Sequence, residues 1–518
     1  MSLINIQNLT FSYDNSDKKI FDNVSFQIDT DWKIGLVGRN GRGKTTFLNL
    51  LLNKLEYTGK ISSNVKFTYF PFEIENQNQL AYDIVTNICP NAEDWEIIRE
   101  FSYLQLDYDT LYSNYSNLSN GEKTKVLLAA LFLKENNFLL IDEPTNHLDS
   151  TGRKIVAEYL GKKKGFILVS HDRYFLDVCT DHIISINKCD IDITQGNFSV
   201  WLDNFNKQQA FENAQNEQLK KEIDRLSKAA KQTSNWADKV ESSKYGGGPV
   251  DRGFIGHKAA KMMKRSKATE NRQRRAIEQK SELLHNTERM DSLKLQPLKY
   301  RNEQLILISN VVIKYQDKTI CKPIDFFLKD GDRILLDGIN GCGKSSLLKL
   351  IVGEQIEFDG KINIPEDLVI SYLPQTFDNL CGSISDFSKI SKIDEPLFRA
   401  ILSKMGFDKN DFLGDISKLS LGQKKKILIA KSLSEKAHLY IWDEPLNYLD
   451  IFARMQIEKL LQEYHPNMIF VEHDIAFQNC IANKVQIIEK YDGWNHIKQQ
   501  KNQFNHDFWR FFEEIFII

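Results

Sequence analysis

Gly38-Arg39-Asn40-Gly41-Arg42-Gly43-Lys44-Thr45-Thr46 returns 300 positions later as Gly338-Ile339-Asn340-Gly341-Cys342-Gly343-Lys344-Ser345-Ser346. Four further pairs keep the same order. Ser119-Asn120-Gly121 recurs as Ser420-Leu421-Gly422 and Asp142-Glu143-Pro144 as Asp443-Glu444-Pro445, both at an offset of 301. Tyr13 and Tyr315, and His171 and His473, are offset by 302. Separated motifs repeating in one order at nearly one offset require two copies of one domain, roughly 1–200 and 300–490. The 518 residues are also too many for a single core.

Each copy alternates short apolar runs with helical stretches. Lys33-Ile34-Gly35-Leu36-Val37 precedes the first glycine loop, and Phe138-Leu139-Leu140-Ile141 precedes Asp142. Tyr440-Ile441-Trp442 holds the same place before Asp443. Buried strands alternating with helices predict an α/β fold around a largely parallel sheet.

The glycine loops follow the pattern G-x-x-x-x-G-K-[ST], in which backbone N–H groups wrap phosphates and a following helix N-terminus favours the anion. Gly38, Asn40, Gly41, Gly43 and Thr46, with Gly338, Asn340, Gly341, Gly343 and Ser346, are thus expected to line ATP. Lys44 and Lys344 would reach the β- and γ-phosphates, and the hydroxyls of Thr45 and Ser345 would bind Mg²⁺. Asp142 and Asp443 end apolar strands, which suits metal coordination, and Glu143 and Glu444 are placed to polarise the attacking water. His171 and His473 follow the apolar runs Phe166-Ile167-Leu168-Val169 and Met468-Ile469-Phe470-Val471 and are expected to sense the γ-phosphate. Tyr13 and Tyr315 either stack on adenine or pack as core aromatics of a first strand.

Leu118-Ser119-Asn120-Gly121-Glu122 and Leu419-Ser420-Leu421-Gly422-Gln423 resemble the signature motif LSGGQ of ABC-type ATPases. The resemblance covers nearly the whole chain. It implies two tandem ABC domains of the P-loop NTPase fold, facing head to tail, with each ATP between the glycine loop of one and the signature of the other. Site one would join Gly38–Thr46, Asp142, Glu143 and His171 to Ser420, Gly422 and Gln423. Site two would join Gly338–Ser346, Gln375, Asp443, Glu444 and His473 to Ser119 and Gly121. The resemblance gives Gln375, in Tyr372-Leu373-Pro374-Gln375, a contact to Mg²⁺ and water. Its counterpart Tyr69-Phe70-Pro71-Phe72 has Phe instead, so the two sites are expected to be unequal. Glu122 stands where the signature usually has Gln.

Between the copies, residues 201–300 carry twenty-one Lys and Arg against thirteen Asp and Glu, in a chain whose net charge is −2. Positive charge gathered on one insertion is suited to a polyanion. Leu219, Ile223, Leu226 and Ala230 follow a coiled-coil seam, and Met262, Ala276 and Leu283 share a heptad register. Tyr245-Gly246-Gly247-Gly248-Pro249 must break the helix. The reading is an antiparallel helical hairpin with arms of about 40 residues, or about 60 Å. Its basic tip and second arm bring Lys244, Tyr245, Arg252, Phe254, Lys258, Lys261, Lys264 and Arg265 forward as contacts to phosphates and exposed nucleotides. The domain plan is therefore 1–200, a linker 201–300, 301–490, and an aromatic tail 491–518.

Two ABC domains, no membrane part and a basic helical linker look like the ABC-F family. Gly253-Phe254-Ile255-Gly256-His257-Lys258-Ala259-Ala260-Lys261-Met262-Met263-Lys264-Arg265 resembles its antibiotic-resistance members of the Lsa and Vga type. Phe72 to Leu118 spans 46 positions and Gln375 to Leu419 spans 44, leaving no room for the extra arm of many housekeeping members. The resemblance implies a cytoplasmic monomer that closes on ATP and docks at the exit (E) site of the bacterial ribosome. Its partners would be rRNA and P-site tRNA, with no membrane permease and no DNA. It would dislodge lincosamides, pleuromutilins or group A streptogramins, and hydrolysis would release it.

Competing readings are a transporter ATPase subunit, a coiled-coil DNA-repair ATPase, and a housekeeping ABC-F factor. A transporter subunit gives no use for a basic hairpin, and repair ATPases usually carry longer coils or zinc-binding cysteines. No apolar run approaches the roughly 20 residues that span a bilayer, and the start has no basic region followed by an apolar stretch. The seven scattered cysteines have no metal-ligand spacing and read as reduced.

Overall fold

The computed structural model describes residues 2–13, 19–72, 74–134, 136–146, 148–186, 191–242, 264, 272, 292–315, 318–377, 380–409 and 411–491. Backbone contacts gather Met1–Ser199 and Met290–Ile518 into one body and Val200–Arg289 into another.

In the first copy the strands run in the order Lys66–Phe70, Asn137–Asp142, Phe166–Val169, Lys33–Val37, His182–Ile186, Ile191–Gln195. All neighbours pair parallel except the last, which is antiparallel. The second copy repeats the order with Ile370–Leu373, Leu439–Asp443, Met468–Val471, Arg333–Asp337 and Lys484–Ile487. Phe166–Val169 and Met468–Val471 are buried at every position, as parallel strands covered on both faces must be. This order puts the three loops that matter at one edge. The glycine loop leaves Lys33–Val37, the carboxylate pair leaves Asn137–Asp142, and the histidine turn leaves Phe166–Val169 between them. Register fixes their depth, with Asp142 opposite Val169 and Asp443 opposite Val471.

Each copy also has a separate antiparallel sheet, which the expectation of a largely parallel sheet did not include. In the first it runs Phe21–Asp29, Leu3–Phe11, Thr58–Ser62. In the second Gln304–Tyr315 pairs with Lys318–Thr319, Ile324–Lys329 and Glu357–Asn363. Its inward residues, among them Ile4, Ile6, Phe21 and Ile28, pack in one cluster with Phe47 and Leu48 of the helix Lys44–Leu51. Bulges blur the alternation that would have announced these strands. The registers of Leu3–Phe11 and Gln304–Tyr315 shift around Asn8 (φ 50°) and Asn310 (φ 51°).

Within Val200–Arg289 the described part is the helix entering it, Phe198–Ser242, whose 45 residues span about 67 Å at 1.5 Å each. Leu219 and Ile223 of the seam are half-buried. The expected break at 245–249, the second arm, the tip residues Lys244, Tyr245, Arg252, Phe254, Lys258, Lys261 and Arg265, and the tail beyond Tyr491 lie outside the described residues. Lys264 is helical and exposed. Leu293 and Leu295, inside the expected linker 201–300, are buried in the core of the second copy. Among the described residues no helix is long and apolar enough to cross a membrane.

Candidate nucleotide-binding sites

Both glycine loops deliver their lysines to the same place. Lys44 Nζ donates to the carbonyls of Gly38 (2.7 Å) and Arg39 (3.3 Å), and Lys344 Nζ to those of Gly338 (2.6 Å) and Ile339 (3.2 Å). Gly43 (φ 97°) and Gly343 (φ 102°) precede the helices in the left-handed region, where a side chain would be strained. A Cβ on Gly43 would also meet Ile20 at 2.5 Å. The loop backbone thus turns sharply into helices Lys44–Leu51 and Lys344–Val352, whose first N–H groups face the loop.

Glu143 and Glu444 follow their strands in the left-handed region, with φ of 48° and 45°. That conformation is uncommon for a non-glycine residue and marks a constrained site. Their N–H groups donate to the Val169 and Val471 carbonyls at 2.9 and 3.0 Å. This fixes both turns beside the histidines. His171 Nε2 lies 3.6 Å from Glu143 Oε1, and His473 Nε2 lies 3.7 Å from Glu444 Oε1. Burial holds the His171 imidazole well below its ordinary value. Burial raises Asp443 to about 6, against the opposing pull of the nearby Ser345 hydroxyl. Both Asp443 oxygens are buried without a hydrogen-bond partner, the environment that a cation would relieve.

Two cavities bring the halves together. One, of 890 Å³, is lined by Gly341, Gly343, Lys344, Ser345, Ser346, Gln375, Glu444 and His473, and from the first copy by Ser119 and Gly121. The other, of 510 Å³, is lined by Gly41, Gly43, Lys44, Thr45, Thr46, Asp142, Glu143 and His171, and from the second copy by Ser420 and Gly422. Asn340 lines the first and Asn40 the second. The cavities bring together most of the residues assigned from the sequence to site two and site one, without Gly38, Gly338 and Asp443.

The family model described as "ABC transporter" matches residues 21–146 and 321–447. ATP-binding protein Uup of Buchnera aphidicola subsp. Acyrthosiphon pisum is 28% identical, aligned over 98% of this chain and 85% of that protein. Ribosome protection protein VmlR of Bacillus subtilis is 25% identical over 95% of this chain and 87% of its own length. A solved structure titled RNase-L Inhibitor superposes with a TM-score of 0.59 at 18% identity, over 94% of this chain and 88% of the other. The chain carries two ABC ATPase domains in tandem.

In this ATPase Tyr13 and Tyr315 are not core aromatics. They are 47% and 46% exposed, border site one and site two, and bond through their hydroxyls to Thr46 (3.0 Å) and Ser346 (3.2 Å). Gln423, like Gly38, Gly338 and Asp443, lines neither cavity, whereas its counterpart Glu122 borders the larger one. Gln423 is the third residue of the helix Leu421–Ser434. Its Oε1 accepts from Ser420 N (3.1 Å) and its Nε2 donates to Asp411 (2.9 Å). Glu122 does the same for Ser119, its Oε2 accepting from Ser119 N at 2.8 Å. The reciprocal cap needs an acceptor at this position, which Glu and Gln both supply. That accounts for the departure at Glu122.

The ATPase's two sites differ around the glutamates. Burial pushes the Glu143 carboxyl up to about 7, and its Oε1 has no hydrogen-bond partner. Burial also pushes on Glu444, but the side chains of His473, Gln375 and Asn447 outweigh it and hold Glu444 below its ordinary value. Phe72 removes the counterpart of Gln375 at site one. There the Tyr69 hydroxyl donates to Asp142 Oδ2 at 3.0 Å, whereas the Tyr372 hydroxyl is buried without a partner.

The sequence reading also missed Arg153 and Arg454. Arg153 donates through Nε to the Leu148 carbonyl and pairs with Asp172 at 3.2 Å, while lining site two. Arg454 donates to Leu449, pairs with Asp474 at 3.0 Å, and lines site one. The repeat offset of 301 relates these arginines too, and that signal could have found them.

Proposed function

We propose that the protein is an ABC-F ATPase that acts on the bacterial ribosome as a resistance factor of the Lsa and Vga type. The observation that carries this reading is the insertion between the two ATPase domains, which a 45-residue helix enters and whose residues 201–300 carry twenty-one Lys and Arg against thirteen Asp and Glu. Similarity to a protein named for ribosome protection supports it. The ATP-closed form docks at the exit site. The linker reaches toward the P-site tRNA and the peptidyl-transferase centre, and bound lincosamides, pleuromutilins or group A streptogramins are dislodged.

Hydrolysis opens the clamp and frees the factor. Glu444, held ionised beside His473, accepts a hydrogen bond from the attacking water, and Glu143 holds the same place at site one. Lys44 and Lys344 turn from the loop carbonyls to the phosphates. Ser420 and Gly422 close site one, and Ser119 and Gly121 close site two. Mg²⁺ fits the donor set Ser345, Gln375 and Asp443, where two buried oxygens lack partners, and the set Thr45 and Asp142. When bound it neutralises phosphate charge.

The test is Glu143→Gln combined with Glu444→Gln in the full chain. Binding without hydrolysis should trap the protein on ribosomes in ATP, seen by co-sedimentation. A double variant that sediments free of ribosomes sinks the reading. Expression of the wild type in a susceptible host should raise the inhibitory concentration of at least one of the three drug classes. No change for any class would leave a ribosome-acting factor without a resistance role.

A further inference from the structure

The two copies meet through equivalent surfaces, so every contact across site one has a counterpart position across site two. At site one the Asn40 N–H donates to Asp450 Oδ2 (3.2 Å) and Asn40 Nδ2 to the Tyr448 carbonyl (3.0 Å). The Arg39 guanidinium lies over the Phe452 ring, 5.5 Å from its centroid. Arg173, just after His171-Asp172, forms an ion pair with Glu458 of the helix Ile451–Tyr464. Their side chains are only 17% and 8% exposed, so this pair is shielded from the screening that makes surface pairs weak.

The repeat offsets identify the counterparts at site two. Arg39 becomes Ile339, Phe452 becomes Thr151, Arg173 becomes Ile475, and Glu458 becomes Ala157. None of these can form an ion pair or a cation–π contact. The asymmetry is therefore written in residue types as well as in the coordinates, and the cavity that lacks the contacts is the larger, 890 against 510 Å³.

We propose that Arg173–Glu458, with Arg39–Phe452, is a one-sided latch that positions the second copy's signature on the first glycine loop. It makes site one the tighter closure and site two the edge that opens first. Arg173 and Glu458 touch no reacting atom in this assignment and are positioning residues. The proposal rests on the composite-site reading given above.

The test uses the full chain and 8-azido-ATP at limiting concentration, with peptide mapping to separate label in the segment around Tyr13 from label around Tyr315. Arg173→Glu and Glu458→Arg should each lower the site-one label at least about tenfold relative to site two. The double charge swap should restore the ratio to within about threefold, which no loss of folding can mimic. Arg39→Ile, which installs the counterpart's own residue, should shift the ratio in the same direction without reversing a charge. Equal loss at both sites, or a swap that fails to restore the ratio, overturns the latch. Ser420→Phe checks the composite reading separately. Unchanged site-one label there overturns that reading and the latch together. Loss there with unchanged label in Arg173→Glu overturns the latch alone.

Discussion

At the scale of single residues, Glu143 and Glu444 hold one place in the fold in two environments. Beside the His473 and Asn447 side chains, one cause lies in four positions of sequence, Tyr69 to Phe72 against Tyr372 to Gln375. Gln375 helps hold Glu444 ionised, whereas Phe72 offers no donor. Gln375→Phe should therefore make site two resemble site one. Single-turnover hydrolysis in a chain also carrying Glu143→Gln should fall by roughly two orders of magnitude, the scale of a lost acid–base contribution. ATP affinity by equilibrium binding should change far less. Equal losses in both quantities would mean that Gln375 serves binding and not the water. The inequality of the sites was legible in the sequence, because Phe and Gln differ in chemistry at a motif position. The response of Tyr69 was not. Its bond to Asp142 depends on adjacent parallel strands set in register, Tyr69 against Leu140. The capping bonds of Gln423 were not legible for a related reason. A motif says that a position is constrained, and only the helix start says that the constraint is a cap.

At the scale of elements, the signature helices begin on reciprocal caps. Ser119 accepts from Glu122 N at 3.2 Å while Glu122 accepts from Ser119 N. Glu122→Gln should keep this arrangement and leave the unfolding midpoint nearly unchanged. Glu122→Ala should remove it and cost about 1 kcal/mol, readable by thermal denaturation of the nucleotide-free protein. If both variants behave alike, the cap is not what the position supplies. Strands and helices around the motifs were legible because phosphate chemistry fixes their spacing and burial fixes their apolar runs. The antiparallel sheets were not. Bulges at Asn8 and Asn310 interrupt a two-residue period over strands of only 9 and 12 residues.

At the scale of the whole molecule, the duplication and the charge of the insertion were legible from residue types alone. The motifs that each copy offers the other followed from the resemblance, but individual contacts such as Asn40 to Asp450 did not, since they join residues 410 positions apart. The charge carries its own prediction. Replacing Lys258, Lys261, Lys264 and Arg265 with Gln should weaken ribosome association in ATP. It should also make the plot of log affinity against log salt shallower by roughly three, at about 0.7–0.9 per phosphate contact. An unchanged slope in co-sedimentation across a salt series would remove those residues from the phosphate contacts, and ATP turnover by the free protein controls for folding. One further consequence follows from the buried arginines. Arg153 grips the turn after His171, which belongs to site one, and its side chain faces site two; Arg454 mirrors this. Breaking such a pair costs about 3–5 kcal/mol, so it is cheaper for the arginine to move with its turn than to let go. Each domain thereby ties the histidine turn of one site to the wall of the other, so that movement at one site is passed on to its neighbour.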